Sequence, residues 1–245
     1  MNKILLSAVV CLVLILLIVR SCAEHGSGMT YRELKLVHVF TDPGARDLAL
    51  AAARGETGHI DELLAQGVDI NYAGQHGITP LRWAIAFENY RGYSYLLEKG
   101  ADPNRTVTDD WLSVMHKAAR TLDARFLIKA IEKGGDPNLV DPSSKDTPIF
   151  DAVLDHGTER LQILLEAGAD PNYQDIVGET VLFPAVRMGK YEAAYFLVKS
   201  GLDPTLQSKR GHTVTYWMEG DERHYDEYAH KLLALIAEKE KEKEK

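Results

Sequence analysis

The chain has 245 residues, of which 45% are hydrophobic, so composition excludes a disordered protein as the default. The body from Glu24 onward carries 36 acidic residues against 26 lysines and arginines, which argues against a general nucleic-acid-binding surface. The two cysteines, Cys11 and Cys22, both precede the body, so its stability cannot depend on a disulfide.

Residues 1–23 are predicted to be an export or anchor segment. Lys3 precedes an uncharged run, Ile4–Val19, whose length lies between that of a signal-peptide core and a bilayer span of ~17–25 residues. Three interpretations stay open: an uncleaved membrane anchor, a signal peptide cleaved after Ala23, and a lipoprotein leader lipidated at Cys22. All three predict that the body lies in the periplasm, tethered to the inner membrane or to lipid unless the leader is cleaved.

Residues 24–44 are predicted to form a linker and an amino-terminal cap. Within them Leu36, Val37, Val39 and Phe40 are expected to cover the open end of a first helical unit, Arg46–Gly67. This unit lacks the Thr-Pro-Leu start seen in later units, as expected of a terminal unit that faces water.

A five-residue string returns along the body at a nearly constant interval. Its glycines are 33, 34, 34 and 33 residues apart, a period typical of repeat architectures. A short amphipathic helix precedes each glycine, which can adopt the left-handed turn that ends a helix. Asp and Asn can then bond nearby amides and fix the turn. The copies are GVDIN (Gly67–Asn71), GADPN (Gly100–Asn104), GGDPN (Gly134–Asn138), GADPN (Gly168–Asn172) and GLDPT (Gly201–Thr205).

A second helix is predicted to start eight or nine residues after most of these turns. Thr79, Thr147 and Thr180 can cap these helices, and small residues such as Ala84 and Ala152 let neighbouring helices approach closely. The last unit, Gly211–Ile236, is followed by an alternating Glu/Lys run at 238–245, which is predicted to be a solvated tail.

These segments resemble the ankyrin repeat, most clearly Gly77-Ile78-Thr79-Pro80-Leu81 followed by Leu96-Leu97-Glu98-Lys99-Gly100-Ala101-Asp102. The resemblance covers residues 45–237. It implies an all-α solenoid of about six helix-turn-helix units, counting both caps. Arg82, Phe150 and Phe183 replace the histidine usual in the family, which only His116 keeps; the resemblance implies a structural hydrogen bond from His116 to the neighbouring turn.

The body contains no recognisable catalytic motif, and no cofactor or metal site is predicted. His224 and His230 lie six residues apart, unlike the ligands of structural zinc sites. The rival hypothesis is a hydrolase with a site near the carboxyl end, around Asp221, Glu222, His224 and Asp226.

The ankyrin resemblance implies instead a binding groove, formed by the extended fingers and the exposed side of the first helix of each unit. Aromatic residues, Met and Arg are enriched at the centres of such interfaces. By register, the predicted partner-binding residues are Gln75, His76, Phe87, Asp109, Asp110, Trp111, Arg120, Thr121, Lys145, Leu154, Asp155, Ile176, Val177, Arg187, Met188, Lys209 and Arg210.

The predicted partner is another protein. An exported ankyrin body with no enzymatic motif resembles an immunity protein, which would neutralise a secreted toxin such as a phospholipase delivered by type VI secretion. The acidic composition leads us to expect a toxin with a basic surface. A periplasmic scaffold or stress-protection factor is the alternative binding role.

Overall fold

The computed structural model describes residues 36–106, 113–154, 157–218 and 225–243. These residues form short helices and contain no strand, which confirms the all-α prediction. The helices are α1 (Pro43–Arg54), α2 (Thr57–Ala65), α3 (Pro80–Ala86), α4 (Tyr90–Glu98), α5 (Val114–Arg120), α6 (Arg125–Glu132), α7 (Pro148–Ala152), α8 (Glu159–Glu166), α9 (Leu182–Arg187), α10 (Tyr191–Lys199) and α11 (Glu227–Lys243), with 3₁₀ turns at Gln75–Gly77 and Val214–Trp217.

Consecutive helices pair into six units, and the sixth uses the Val214–Trp217 turn in place of its first helix. In each unit the first helix is the inner one and the second is the outer one. Inner helices pack on inner helices of the adjacent units, as α3 does on α1 and α5. A single apolar core runs through the stack from Leu48 to Ile236. No unit could bury its faces alone, so stability depends on stacking.

Small residues set the distance between neighbouring units. Ala84, Ala118 and Ala185 are completely buried along the row of inner helices, as predicted. Gly92 of α4 lies closest of all, because a Cβ built on it would fall 1.8 Å from the carbonyl oxygen of Ala52 in α1. Units one and two therefore meet backbone to backbone at this point.

The recurring string links units as well as ending helices. Its five glycines have φ between 86° and 107°, which is the left-handed conformation predicted for them. Each aspartate accepts the amide hydrogen of the residue two positions later, as Asp136 Oδ1 does from Asn138 N at 2.8 Å. Each turn is therefore fixed by its own aspartate, as predicted.

The asparagines of the string bond across to the next turn. Asn138 Oδ1 accepts from Asp170 N at 2.8 Å, while its Nδ2 donates to the Gly168 carbonyl at 2.9 Å. Asn104 makes the same two bonds one unit earlier, to Asp136 N and the Gly134 carbonyl. The constant Asp-x-Asn spacing thus builds a hydrogen-bonded ladder along one edge of the solenoid.

The ladder ends where the string changes to GLDPT. Thr205 replaces the asparagine, and α11 returns to this turn: Lys243 Nζ lies 2.5 Å from both Asp203 Oδ2 and Thr205 Oγ1. The Glu/Lys run, expected to be a solvated tail, is mostly exposed and is, up to Lys243, the helical continuation of α11. Lys243 thereby closes the open end of the ladder.

The predicted threonine caps form at only one of the three positions. Thr79 Oγ1 accepts from Arg82 N at 3.1 Å, as expected. At α7 and α9 the corresponding amides, of Phe150 and Phe183, bond the backbone carbonyls of Thr147 and Thr180 instead. The two buried hydroxyls are consequently left without a partner.

Within the described residues, no helix has the length and apolar character needed to cross a bilayer. The predicted leader, including Cys22, lies outside those residues.

Candidate protein-binding face

The inner face of the solenoid consists of the fingers, which are the extended segments before each inner helix, and the solvent-facing side of the inner helices. In unit two, Gln75 and His76 are exposed at the fingertip, and His76 adopts a left-handed φ of 58°. Phe87 is half-buried at the end of α3, where its ring lies 5.3 Å from that of Trp83.

The chain itself fills the amino-terminal part of this face. Leu36 and Phe40 are fully buried in a separate apolar cluster with Trp83, and the Phe40 ring meets the Trp83 ring edge-on at 6.0 Å. Thr41 Oγ1 bonds the Tyr72 hydroxyl in the finger at 2.9 Å. Residues 36–41 were expected to cover the open end of unit one. They extend further, between the finger and the inner helix of unit two, because Trp83 presents an apolar surface there.

The middle of the inner face combines exposed cations with buried polar groups. Arg120 and Lys145 are exposed, and Leu154 packs partly against the core. Thr121 is buried, and its hydroxyl donates to the Lys117 carbonyl at 2.8 Å, so it offers little surface to a partner.

His116 joins two units below this surface. Its Nδ1 lies 2.7 Å from Ser113 Oγ, and its Nε2 lies 3.5 Å from the carbonyl oxygen of Asp146 in the next finger. This geometry confirms the structural bond implied by the resemblance. Burial lowers the pKa of His116, although the nearby Asp146 carboxylate acts in the opposite direction.

Asp151 was not among the residues chosen from the sequence. It lies in the inner helix α7 and is only 7% exposed. Burial raises the pKa of Asp151 to about 7; the Asp146 carboxylate adds to this effect, and the Arg120 guanidinium opposes it. A carboxyl group at the centre of the face is therefore largely neutral below pH 7.

The carboxyl-terminal part of the inner face is an exposed apolar patch. It is formed by Ile176, Val177, Met188, Tyr216 and Trp217, which are 44–54% exposed. Large apolar side chains grouped in this way are unusual on a solvated surface and mark contact sites. We call these five residues the apolar patch.

Arg187 connects the two sides of the patch. Its Nη1 lies 2.6 Å from Glu179 Oε2 at the base of the finger, and its guanidinium carbon lies 5.3 Å from the Trp217 ring centroid. Lys209 fixes the adjacent fingers, because its Nζ donates to the Ile176 carbonyl at 2.7 Å and its amide donates to the Val177 carbonyl at 3.0 Å. The patch is thus held by finger-to-finger and finger-to-helix contacts.

The sequence analysis missed Tyr216 and Trp217. Both belong to the short turn that replaces the sixth inner helix, and Trp217 occupies the register position of Trp83, Lys117 and Asp151 in earlier units. The register gave no signal for them, because the equivalent residues Trp83 and Asp151 are buried in earlier units; Trp217 is exposed here, where a 3₁₀ turn replaces the helix.

The remaining sequence-predicted residues lie outside the described part of the chain: Asp109, Asp110, Trp111, Asp155, and Asp221, Glu222 and His224 of the rival hydrolase site. Asp226 is described and has a structural role, because its Oδ1 accepts from Ala229 N at the start of α11. Among the described residues, no group of three or more His, Cys, Asp or Glu side chains could hold a metal ion.

Comparison with known proteins decides the family. A model of ankyrin repeats (three copies) matches residues 22–107 and 115–208, well over half of the chain. The chain belongs to the ankyrin repeat family. Ankyrin domains are generally protein-interaction modules without catalytic activity, which agrees with the inner face described above.

Several curated proteins are similar to this ankyrin domain over part of their length. Protein PhlB of Serratia liquefaciens is 32% identical over 143 residues, covering 58% of this chain and 62% of PhlB. The putative palmitoyltransferase ZDHHC13 of Danio rerio is 28% identical over 58% of this chain and 22% of its own length. The phosphocholine transferase AnkX of Legionella pneumophila is 29% identical over 56% and 15%, respectively. The chain spans less than two thirds of each relative, and the named activities belong to those proteins.

Proposed function

We propose that this ankyrin protein is a non-catalytic binding protein that holds another protein on the carboxyl-terminal part of its inner face. The apolar patch carries this proposal, because five of the nine large apolar side chains that are exposed among the described residues belong to the fingers and inner segments of units five and six. Trp, Tyr, Met and Arg beside one another are the side chains from which interface centres are built.

The scaffold favours tight binding. Arg187 and Lys209 are already held by contacts within the chain, so little side-chain freedom is lost when a partner docks. A standard-size interface centred on such anchors can reach nanomolar affinity, about −12 kcal/mol.

The role we propose for this binding is neutralisation of a toxin. In this proposal residues 1–23 export the body to the periplasm, where it meets secreted toxins such as phospholipases delivered by type VI secretion and acts as an immunity protein. The leader, the ankyrin body and the patch support this reading together. A periplasmic scaffold or stress-protection factor would use the same face, but it would not protect against one particular toxin.

The test is competition between a strain lacking the gene and its parent, which expresses the candidate toxin. The deletion strain should be killed and should be rescued by the wild-type gene. A Trp217→Ala, Met188→Ala double variant should rescue poorly, because it removes two of the five large side chains of the patch. Ile128→Ala is the matched control, because Ile128 is 41% exposed on the outer helix α6. Full survival of the deletion strain beside an active toxin would refute the immunity role.

A further inference from the structure

Charge is segregated between the two sides of this solenoid. Units three to six are described at fingers 105–106, 139–146, 173–179 and 206–212, and at inner segments 113–121, 147–154, 180–188 and 213–218. Every exposed charged side chain on these segments is a cation. The six are Arg105, Arg120, Lys145, Arg187, Lys209 and Arg210.

The acidic residues of the same segments are withdrawn from solvent. Asp141 and Asp151 are buried; Asp146, Asp175 and Glu179 are half-buried. Four of them are already engaged: Asp141 and Asp175 accept backbone amides within their fingers, Asp146 accepts from the Ser144 hydroxyl, and Glu179 pairs with Arg187. Asp151, whose carboxyl is largely neutral below pH 7, compensates the neighbouring Arg120 only in part.

The outer side of the same units has the opposite balance. Among the described residues at 122–138, 157–172, 189–205 and 225–243, eleven exposed side chains are acidic and six are Lys or Arg. The net charge of −8 therefore does not describe the inner face. A partner that approaches from this side meets positive charge around an apolar centre.

We propose that the inner face of units four to six binds an acidic surface of its protein partner, one that presents Asp and Glu around a large apolar side chain. Electrostatic complementarity requires carboxylates opposite Lys145, Lys209 and Arg210, and the apolar patch requires an aromatic or aliphatic anchor between them. This inference rests on the proposed binding function and replaces the basic toxin surface expected from composition.

The same cations could attract a nucleic acid, but the centre of the face favours a protein. Three of the five patch residues, Ile176, Val177 and Met188, are not aromatic, whereas single-stranded nucleic acids are held by aromatic stacking platforms along a basic groove. Leu36 and Phe40 pack with Trp83 at the amino-terminal part of the face, so a strand could use only the later units.

The test uses the full-length chain in detergent micelles and a phage library of random dodecapeptides. Peptides selected by the wild-type chain should be rich in Asp and Glu around Trp, Phe or Leu. The variant Lys145→Glu, Lys209→Glu, Arg210→Glu should bind those peptides about tenfold more weakly or worse, and should itself select basic peptides.

The matched control is Lys133→Glu, Lys199→Glu, Lys241→Glu, which makes the same charge change with three exposed lysines of the outer side. It should bind the acidic peptides as the wild type does. Circular dichroism on all three chains confirms that each is folded. A labelled dT20 oligonucleotide serves as the second probe.

Selection of basic or uncharged peptides by the wild-type chain, no enrichment over a blank surface, or equal losses in both triple variants would overturn the proposal. Tight binding of dT20 that only the inner-face variant abolishes would also overturn it, in favour of nucleic acid. The two proposals can fail separately. Selection of acidic peptides, together with full survival of the deletion strain, would refute the immunity role alone. Selection of basic peptides, together with killing of the deletion strain, would refute this inference alone.

Discussion

Replacing Asp151 by Asn should stabilise the protein, and the gain should grow with pH. Asp151 is buried in α7, and its pKa is raised from 3.8 to about 7. Each pKa unit corresponds to 1.36 kcal/mol, so the ionised carboxylate costs the folded state about 4 kcal/mol at pH 8. Asn has the same shape as the neutral acid and carries no such cost.

The sign follows from proton linkage. Below about pH 3.8 the carboxyl is neutral in both the folded and the unfolded chain, so its ionisation costs nothing. As pH rises toward 7, the unfolded chain has lost this proton while the folded chain keeps it, and stability falls until the folded group ionises as well. The advantage of Asn over Asp should therefore increase by about 3 kcal/mol between pH 5 and pH 8.

Urea denaturation of both chains, followed by circular dichroism at pH 5, 6, 7 and 8, measures this difference. In thermal denaturation at pH 8, the melting temperature of the variant should be higher by ~10 °C for a chain of this size. Asp123→Asn is the control of opposite sign, because its hydrogen bond from Arg125 lowers the pKa of Asp123. That variant should lose stability at pH 8. A gain for Asp151→Asn that does not change with pH, or a loss at pH 8, would refute the reasoning.

Two further predictions concern the contacts between units. Gly92→Ala should destabilise the protein by more than about 2 kcal/mol, since its Cβ would strike the Ala52 backbone. Gly58→Ala, which has open space around it, should stabilise the protein by about 0.5 kcal/mol. The midpoints of urea denaturation compare the two variants. Asn138→Ala should cost about 1–3 kcal/mol by breaking both rungs of the ladder and leaving the Asp170 amide unpaired; an unchanged midpoint would contradict the ladder's role.

The repeat could be predicted because local backbone geometry determines its residues. Gly100 and Gly168 each need a left-handed φ, and Asp136 bonds an amide two residues away, so a short window of sequence contains the whole cause. The partner of Asn138 lies 32 residues further on, and the sequence gives only the constant period as a hint of that bond.

The features that could not be predicted depend on neighbours distant in sequence. Phe40 packs against Trp83 because the inner face of unit two is apolar, and no local pattern at Phe40 indicates this. Asp151 looks like an ordinary surface residue until the fold buries it. The 3₁₀ turn that exposes Trp217 replaces a helix that the repeat pattern would have placed there.

The acidic composition of this chain is partly a consequence of its architecture. Asp102, Asp136 and Asp170 are present because every turn needs a carboxylate to accept an amide, and an ankyrin protein with any partner would carry them. Net charge therefore mixes structural aspartates with residues that are free to vary. The exposed positions of the fingers and inner helices need no carboxylate for a turn, and in the described part of units three to six their charged side chains are Arg and Lys. For a repeat protein, the sign of those unconstrained positions is the better guide to its partner.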